Sequence, residues 1–382
     1  MKDAPLPEAP RLLLVRTSAL GDVVHALPVA TALRRHRPAA EIAWVVEAAI
    51  APLLAGHPAV DRVIPLELRA WRRAPLSRPA RRGLAALRRA VRDFRPDVAL
   101  DLMGNHKGAL LARLSGAPRV VGLARRDRRE PSSALWIGEP VPLPAPAPPA
   151  GRPSGPLAAA LAGGEPAPAH AVDRALALAA ALGAPTSPVD LGGDGLFPAL
   201  PRGPRRHLVI HAGAGWGNKR WPAERWAAAA RRLAAATGLP LRAPVGPGEA
   251  ALVAELAAAA GGAVEPVPAP DLPSLAAELL AARLVLAGDT GPLHLAHSLG
   301  VPVLAVLGPT DPRRHGPYAA LDRAVWQTLP CSFCYKRFAE TKACLWAVDV
   351  ESVVERALAL LATEGASERY SGPRNRGLEK SL

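Results

Sequence analysis

Aromatic side chains are scarce in this chain, 4% of 382 residues, and Met occurs only twice. A core with so few rings has to be aliphatic, and Ala, Leu, Val and Pro are abundant in their place. No run of about 18 or more uninterrupted apolar residues is present, which excludes an ordinary helical membrane span. The first residues lack the basic, apolar and small-residue order of a secretory signal, so a cytoplasmic protein is expected. Cysteine is confined to Cys331, Cys334 and Cys344, all in one late segment. Three thiols fall short of a four-ligand zinc site and their odd number argues against a disulfide framework, which leaves reduced structural thiols. Also missing are a P-loop and a G-x-G-x-x-G turn followed by an acid, two common nucleotide fingerprints.

Acidic residues are in deficit too: 47 basic against 33 acidic residues leave a net charge of +14. The basic residues are dispersed and come without an aromatic-rich RNA signature or zinc-finger spacing, so nucleic acid is not the expected partner. A phosphorylated or membrane-surface acceptor fits at least as well. Only 6 of the 47 are Lys. Two of those, Lys107 and Lys219, stand in motif-like turns, a hint that a compact ammonium is used there rather than the planar Arg fork.

What is present is a repeated alternation of buried-strand runs with polar turns and amphipathic helices. Arg11 to Val15 is the first strand, and Thr17 to Asp22 turns into a helix, which puts Asp22 near a helix N-terminus at a strand tip. It reads either as a cap or as a carboxylate held at a cleft for general-base work. Strands at 41–46 and 62–66 follow, then a basic stretch, Arg69 to Arg73, directly after a strand end. Arg81 to Phe94 reads as an amphipathic helix. The strand at 97–102 opens into a polar turn holding Lys107, and the strand at 119–123 leads into Arg125 to Glu130, which contains Arg129. Several strands of this half thus finish in cationic turns, the pattern of a cleft wall for an acidic partner.

From about Pro140 to Pro168 the sequence is Ala/Pro/Gly-rich and receives no secondary structure. Order resumes with a helix from His170 to Leu182, and Gly183 to Pro204 is the candidate linker. The second half restarts at the strand 207–211, whose Gly-rich turn ends in Lys219, placed to neutralise a diphosphate. The strand 241–245 runs into Gly246-Pro247-Gly248-Glu249, where Glu249 is either a helix cap or a ligand for ribose hydroxyls. Leu284 to Pro312 reads as strand, polar turn, short helix, strand and polar turn. In a parallel α/β sheet both turns fall on one rim, so Asp289, Thr290 and Gly291 make either half of a phosphate site or a plain capped turn. The division expected is a first domain at 11–185, a second at 205–348, a C-terminal helix at 349–363 and a basic disordered tail at 364–382.

Taken together these motifs resemble glycosyltransferase family 9, and within it the lipopolysaccharide heptosyltransferase I type. The match includes Thr17-Ser18, Gly21-Asp22-Val23, His25, Trp44-Val45-Val46-Glu47, Arg129-Glu130-Pro131, His170 to Arg174, Lys219 with Trp221-Pro222, Asp289-Thr290-Gly291, His294-Leu295 and Gly308 to Pro312. The resemblance implies a glycosyltransferase B fold, two Rossmann-like α/β domains facing a central cleft, with neither metal nor cofactor. It implies ADP-L-glycero-β-D-manno-heptose as donor on the second domain and the Kdo of lipid A as acceptor on the first, at the cytoplasmic face of the inner membrane. Carried across by motif, Asp22 would be the general base and Lys219 would stabilise the departing ADP. Glu249 would hold ribose, Asp289, Thr290, Gly291 and His294 would contact the donor, and Arg69, Arg72, Lys107 and Arg129 would meet the acidic acceptor. Two other readings stay open at this point: a type II or later-acting heptosyltransferase, and a non-catalytic nucleotide-sugar-binding protein.

Overall fold

A computed structural model describes residues 6–74, 77–143 and 168–370, with the side chains of Arg69 and of residues 364–370 outside the description. Its backbone forms two six-stranded sheets, and every strand pair in them is parallel. The strands in chain order are β1 (Arg11–Val15), β2 (Glu41–Glu47), β3 (Arg62–Leu66), β4 (Val98–Asp101), β5 (Arg119–Leu123) and β6 (Glu139–Val141) in the first sheet. The second holds β7 (His207–His211), β8 (Leu241–Val245), β9 (Glu265–Pro268), β10 (Ala282–Ala287), β11 (Val303–Val306) and β12 (Ala324–Val325). The first is ordered β3-β2-β1-β4-β5-β6 and the second, read the same way, β9-β8-β7-β10-β11-β12. Both have the doubly-wound order, whose ligand crevice lies outside the carboxyl ends at the point where the order reverses. In this chain those points are β1/β4 and β7/β10.

The strands are near-continuous apolar runs because helices cover both faces. Side chains alternate between the faces. Leu12 and Leu14 pack on one side with Ile42, Trp44 and Leu100, whereas Leu13 and Val15 pack on the other with Val45, Ile64 and Leu87. Each such fully buried side chain contributes roughly 1.5–3 kcal/mol. The second sheet does the same: Leu208, Ile210 and Leu286 face Trp226, Leu233 and Val353, while Val209, Val285 and Ala287 face the helix Gly291–Ser298. That last face joins the cluster containing Leu12 and Leu27, so one apolar core runs from the first domain into the second.

The sequence reading needs correction at several boundaries. Pro140 and Val141, placed in the unstructured stretch, pair with β5 in β6; residues 144–167 of that stretch lie outside the described residues. The basic run does follow the end of β3, and takes the form of a short helix, Leu68–Arg73. The amphipathic helix starts at Arg78, three residues before Arg81, because Ser77 caps it by accepting the Ala80 N–H at 3.2 Å and Pro79 suits its first turn. The last helix runs from Val350 to Tyr370, beyond Thr363, and packs its first half into the second domain's core. Residues 371–382 are outside the description.

Candidate active site

The carboxyl ends of the two sheets open into one cleft of about 1830 Å³. On its first wall, β1 ends at Val15 and the helix Leu20–Val24 begins four residues after Arg16. Asp22 sits in that helix's first turn. Its Oδ2 accepts the Ala19 N–H at 3.1 Å, and its Oδ1 is 2.6 Å from Arg16 Nη2. The carboxylate is therefore clamped from behind while remaining 41% exposed to the cleft. Arg16 is itself held by the Leu102 carbonyl at the end of β4, so the clamp spans the reversal point of the sheet.

On the opposite wall Asp289 organises the tip of β10. It accepts from Lys219 Nζ at 2.5 Å, from Thr310 Oγ1 at 2.8 Å and from His294 Nε2 at 3.3 Å. Burial alone pushes the Asp289 carboxyl up, but the His294 hydrogen bond and the Lys219 ammonium outweigh it and hold the group well below the usual carboxylate range. It is a fixed anion. Lys219 also lies 4.4 Å from the Trp216 ring centroid, with the Arg337 guanidinium 4.5 Å from the same ring. Thr290 caps the helix Gly291–Ser298 by position only; its buried Oγ1, like the buried Nδ1 of His294, has no hydrogen-bond partner. Buried polar atoms left unpaired cost about 1–3 kcal/mol each, and they are what a polar ligand entering the cleft would satisfy. Further along the same wall, Glu249 folds back over its turn, accepting the Gly246 N–H at 3.2 Å and standing 3.6 Å from His211 Nε2.

The two walls touch. A Cβ on Gly21 would lie 2.8 Å from His294 Cδ2 and 3.4 Å from Gly291 Cα, and a Cβ on Gly291 would lie 2.7 Å from Leu20 Cβ. The helix that carries Asp22 is thus seated on the helix that opens with Gly291. Beside this seam the His25 ring packs tilted against His294 at 4.1 Å and edge-on against His170 at 5.4 Å. Burial, then the neighbouring imidazoles, push His25 well below its ordinary value, and burial takes His170 down to about 3.

The family model described as glycosyltransferase family 9 (heptosyltransferase) matches residues 84–344. The chain belongs to glycosyltransferase family 9. It is 35% identical over 335 residues to lipopolysaccharide heptosyltransferase 1 of Pseudomonas aeruginosa PAO1, covering 86% of each chain. Its fold superposes on the Escherichia coli heptosyltransferase WaaC with ADP at a TM-score of 0.74, with 27% identity over 92% of this chain and 99% of that one. The same enzyme with ADP-2-deoxy-2-fluoro heptose gives 0.69, at 26% identity over 94% and 99%. The architecture is that of a glycosyltransferase B enzyme.

In this family 9 glycosyltransferase Asp22, Lys219, Glu249, Asp289, Thr290, Gly291, His294, Arg72, Lys107 and Arg129 all line the one cleft. Arg69 contributes backbone to Leu68–Arg73, and its side chain lies outside the described residues. The cationic turn at 125–130 divides. Arg126 and Arg129 face the cleft, whereas Arg128 turns inward to a fully buried ion pair with Asp101 and a 2.7 Å bond to Ser133 Oγ. Glu130 is an N-terminal partner of the helix His106–Leu114, accepting the His106 N–H at 2.8 Å. Arg16, His211, Arg314, His315, Tyr335 and Arg337 also line the cleft and were not singled out from the sequence. Arg16 had one available signal, its place directly after the first strand and six residues before Asp22.

Proposed function

We propose that this family 9 enzyme transfers L-glycero-D-manno-heptose, with inversion, from ADP-L-glycero-β-D-manno-heptose to the Kdo region of inner-core lipid A. The observation that carries the reading is the seam at Gly21 and Gly291, which sets the Asp22 helix of one domain directly on the helix start of the other. The relatives named above, one a lipopolysaccharide heptosyltransferase 1 and one seen with ADP and with a fluorinated ADP-heptose, support the donor. The acceptor rests on the cationic first wall.

The chemistry follows from the two walls. Asp22 takes the proton from an acceptor hydroxyl as its oxygen attacks the anomeric carbon. The bond from that carbon to the β-phosphate oxygen breaks on the far side, and its electron pair leaves with ADP. Lys219, fixed through one of its three N–H groups by Asp289, turns the others toward the diphosphate. The N–H groups opening the helix Gly291–Ser298 and the unpaired Thr290 hydroxyl add donors to the same oxygens. Glu249 accepts from ribose hydroxyls. Arg72, Lys107 and Arg129, with Arg69 beside them, bind the carboxylate and phosphate groups of the acceptor. Such an acceptor sits in a bilayer, so the enzyme works peripherally at the cytoplasmic face of the inner membrane.

The test is ADP release from ADP-heptose by the purified protein in EDTA, with and without Kdo-lipid A, while the acceptor mass is followed. Acceptor-dependent release with a gain of one heptose is the expected result. Binding of ADP-heptose without turnover on this acceptor would sink the assignment.

A further inference from the structure

The helical layer over one face of the first sheet carries an exposed surface that the transfer chemistry does not use. The helix Arg78–Asp93 buries Ala80, Leu87 and Val91 inward and turns Arg81, Arg82, Leu84, Arg88 and Arg89 outward. Among the described residues none of those four arginines has a carboxylate partner. Next to it, the helix His106–Leu114 exposes Leu110, and the turn Pro131–Trp136 exposes Leu135 and Trp136. These elements adjoin: Arg92 Nε donates to the Leu114 carbonyl at 3.4 Å, and Trp136 Nε1 donates to His106 Nδ1 at 3.4 Å. The large apolar side chains that the described residues of the first domain leave exposed are Leu84 (50%), Leu110 (42%), Leu135 (85%) and Trp136 (42%). All four lie on this layer. A second, shallow groove between Arg81, Leu84, Arg88 and Arg92 measures about 430 Å³.

We propose that this layer is a docking surface for an anionic lipid bilayer. Arginines around isolated Leu and Trp side chains form an interfacial surface, in which the cations meet anionic headgroups and the apolar tips enter the headgroup boundary. A single-stranded nucleic acid would call for aromatic platforms for stacking, and a duplex, held through its phosphates, would leave the exposed leucines unused. The layer also borders the acceptor wall on two sides. The Trp71 ring lies against Gly83, so close that a Cβ there would come within 2.5 Å of it, and its neighbour Arg72 lines the cleft. On the other side Lys107, three residues before Leu110, lines the cleft as well. A bilayer on this layer therefore holds the cleft mouth beside the headgroups, where a lipid-borne acceptor would stand. The inference rests on the lipid-linked acceptor proposed above.

The experiment floats the full-length protein with vesicles of phosphatidylethanolamine and phosphatidylglycerol, and with vesicles of phosphatidylcholine alone. The protein should float with the anionic vesicles and be released by high salt. The double variant Arg81→Glu/Arg89→Glu should lower the vesicle partition at least about thirtyfold, and Leu84→Ser/Leu135→Ser should lower it without changing the salt dependence. Both variants should transfer to a delipidated, water-soluble Kdo acceptor within about twofold of the parent, yet fall well behind it on acceptor embedded in vesicles. Failure of the parent to float on anionic vesicles, flotation of the charge-reversed variant like the parent, or capture by duplex DNA in place of vesicles would each overturn the docking surface. Flotation with no transfer to the soluble acceptor would leave the surface standing and remove the heptosyltransferase reading instead.

Discussion

In the transfer proposed above the chemistry turns on Asp22, and its surroundings set what a substitution should do. Replacing it with Asn keeps the size of the side chain and an oxygen for the Ala19 N–H, but removes the proton acceptor and the charge facing Arg16. Transfer should fall by about 10²–10⁴-fold, the range general-base catalysis supplies. Binding of ADP, assigned above to the other wall, should stay near that of the parent. Titration calorimetry with ADP and single-turnover transfer measure the two separately, and a variant that turns over at the parental rate would strip Asp22 of the base role. At this scale the sequence was informative wherever a polar residue followed an apolar run. Asp22, Lys219, Glu249 and Asp289, which line the cleft, were singled out that way because strand tips in a doubly-wound sheet face the crevice. Arg16 and Arg337 were not, since each is one of 41 arginines and only folding brings Arg16 to Asp22 or Arg337 to Trp216. Arg128 misled for the same reason: in sequence it is one more cation of a basic turn, and only its distance to Asp101 makes it an internal tie.

At the scale of elements, the two short helices Leu20–Val24 and Gly291–Ser298 meet through glycine. Gly21→Ala puts a methyl 2.8 Å from His294 Cδ2, well inside contact distance, so the helices must separate or His294 must leave its bond to Asp289. We expect a loss of about 1–3 kcal/mol in stability, the usual cost of overpacking, together with a lower kcat because the Asp22 wall moves relative to the Lys219 wall. Urea unfolding and steady-state kinetics on the variant read both. Unchanged values for each would show that the seam yields freely and does not set the cleft geometry. Most of the strands that build the two walls were legible as apolar runs. The edge strands β6, β9 and β12 were not, because Glu139-Pro140-Val141 and Glu265-Pro266-Val267-Pro268 carry the residue that usually argues against a strand, and β12 is two residues long. Proline is tolerated there because an edge leaves one side of the ladder unpaired.

For the whole molecule, the seam between the domains should make stability depend on mild acid. His25, from the first domain, packs against His294 from the second and edge-on against His170, and His170 Nε2 donates to the Gly316 carbonyl at 3.0 Å while Tyr318 donates to Asp173 at 2.8 Å across the same boundary. Burial holds the His25 imidazole well below 6.5 and takes His170 to about 3 and His315 to about 4. A histidine whose folded value is lowered leaves the unfolded chain with more protons through the window below about 6.5, so stability is full above that pH and falls as the pH drops toward the folded values. At about 1.4 kcal/mol per unit for each group, His170 and His315 together would remove about 4 kcal/mol by about pH 5, and His25 acts in the same direction. Asp289 is depressed as well, but its contribution is lost only below the ordinary carboxylate value near 3.8, outside this window. The urea midpoint should therefore decline steadily from about pH 7.5 to about pH 5, and His170→Gln should flatten the decline by about one group's share. A midpoint constant over that range would mean that the imidazoles gain protons without separating the domains. Because the His25 ring lies 4.1 Å from the His294 ring across the boundary, a charge gained by His25 acts first at the seam, and transfer should fall before the sheets unfold.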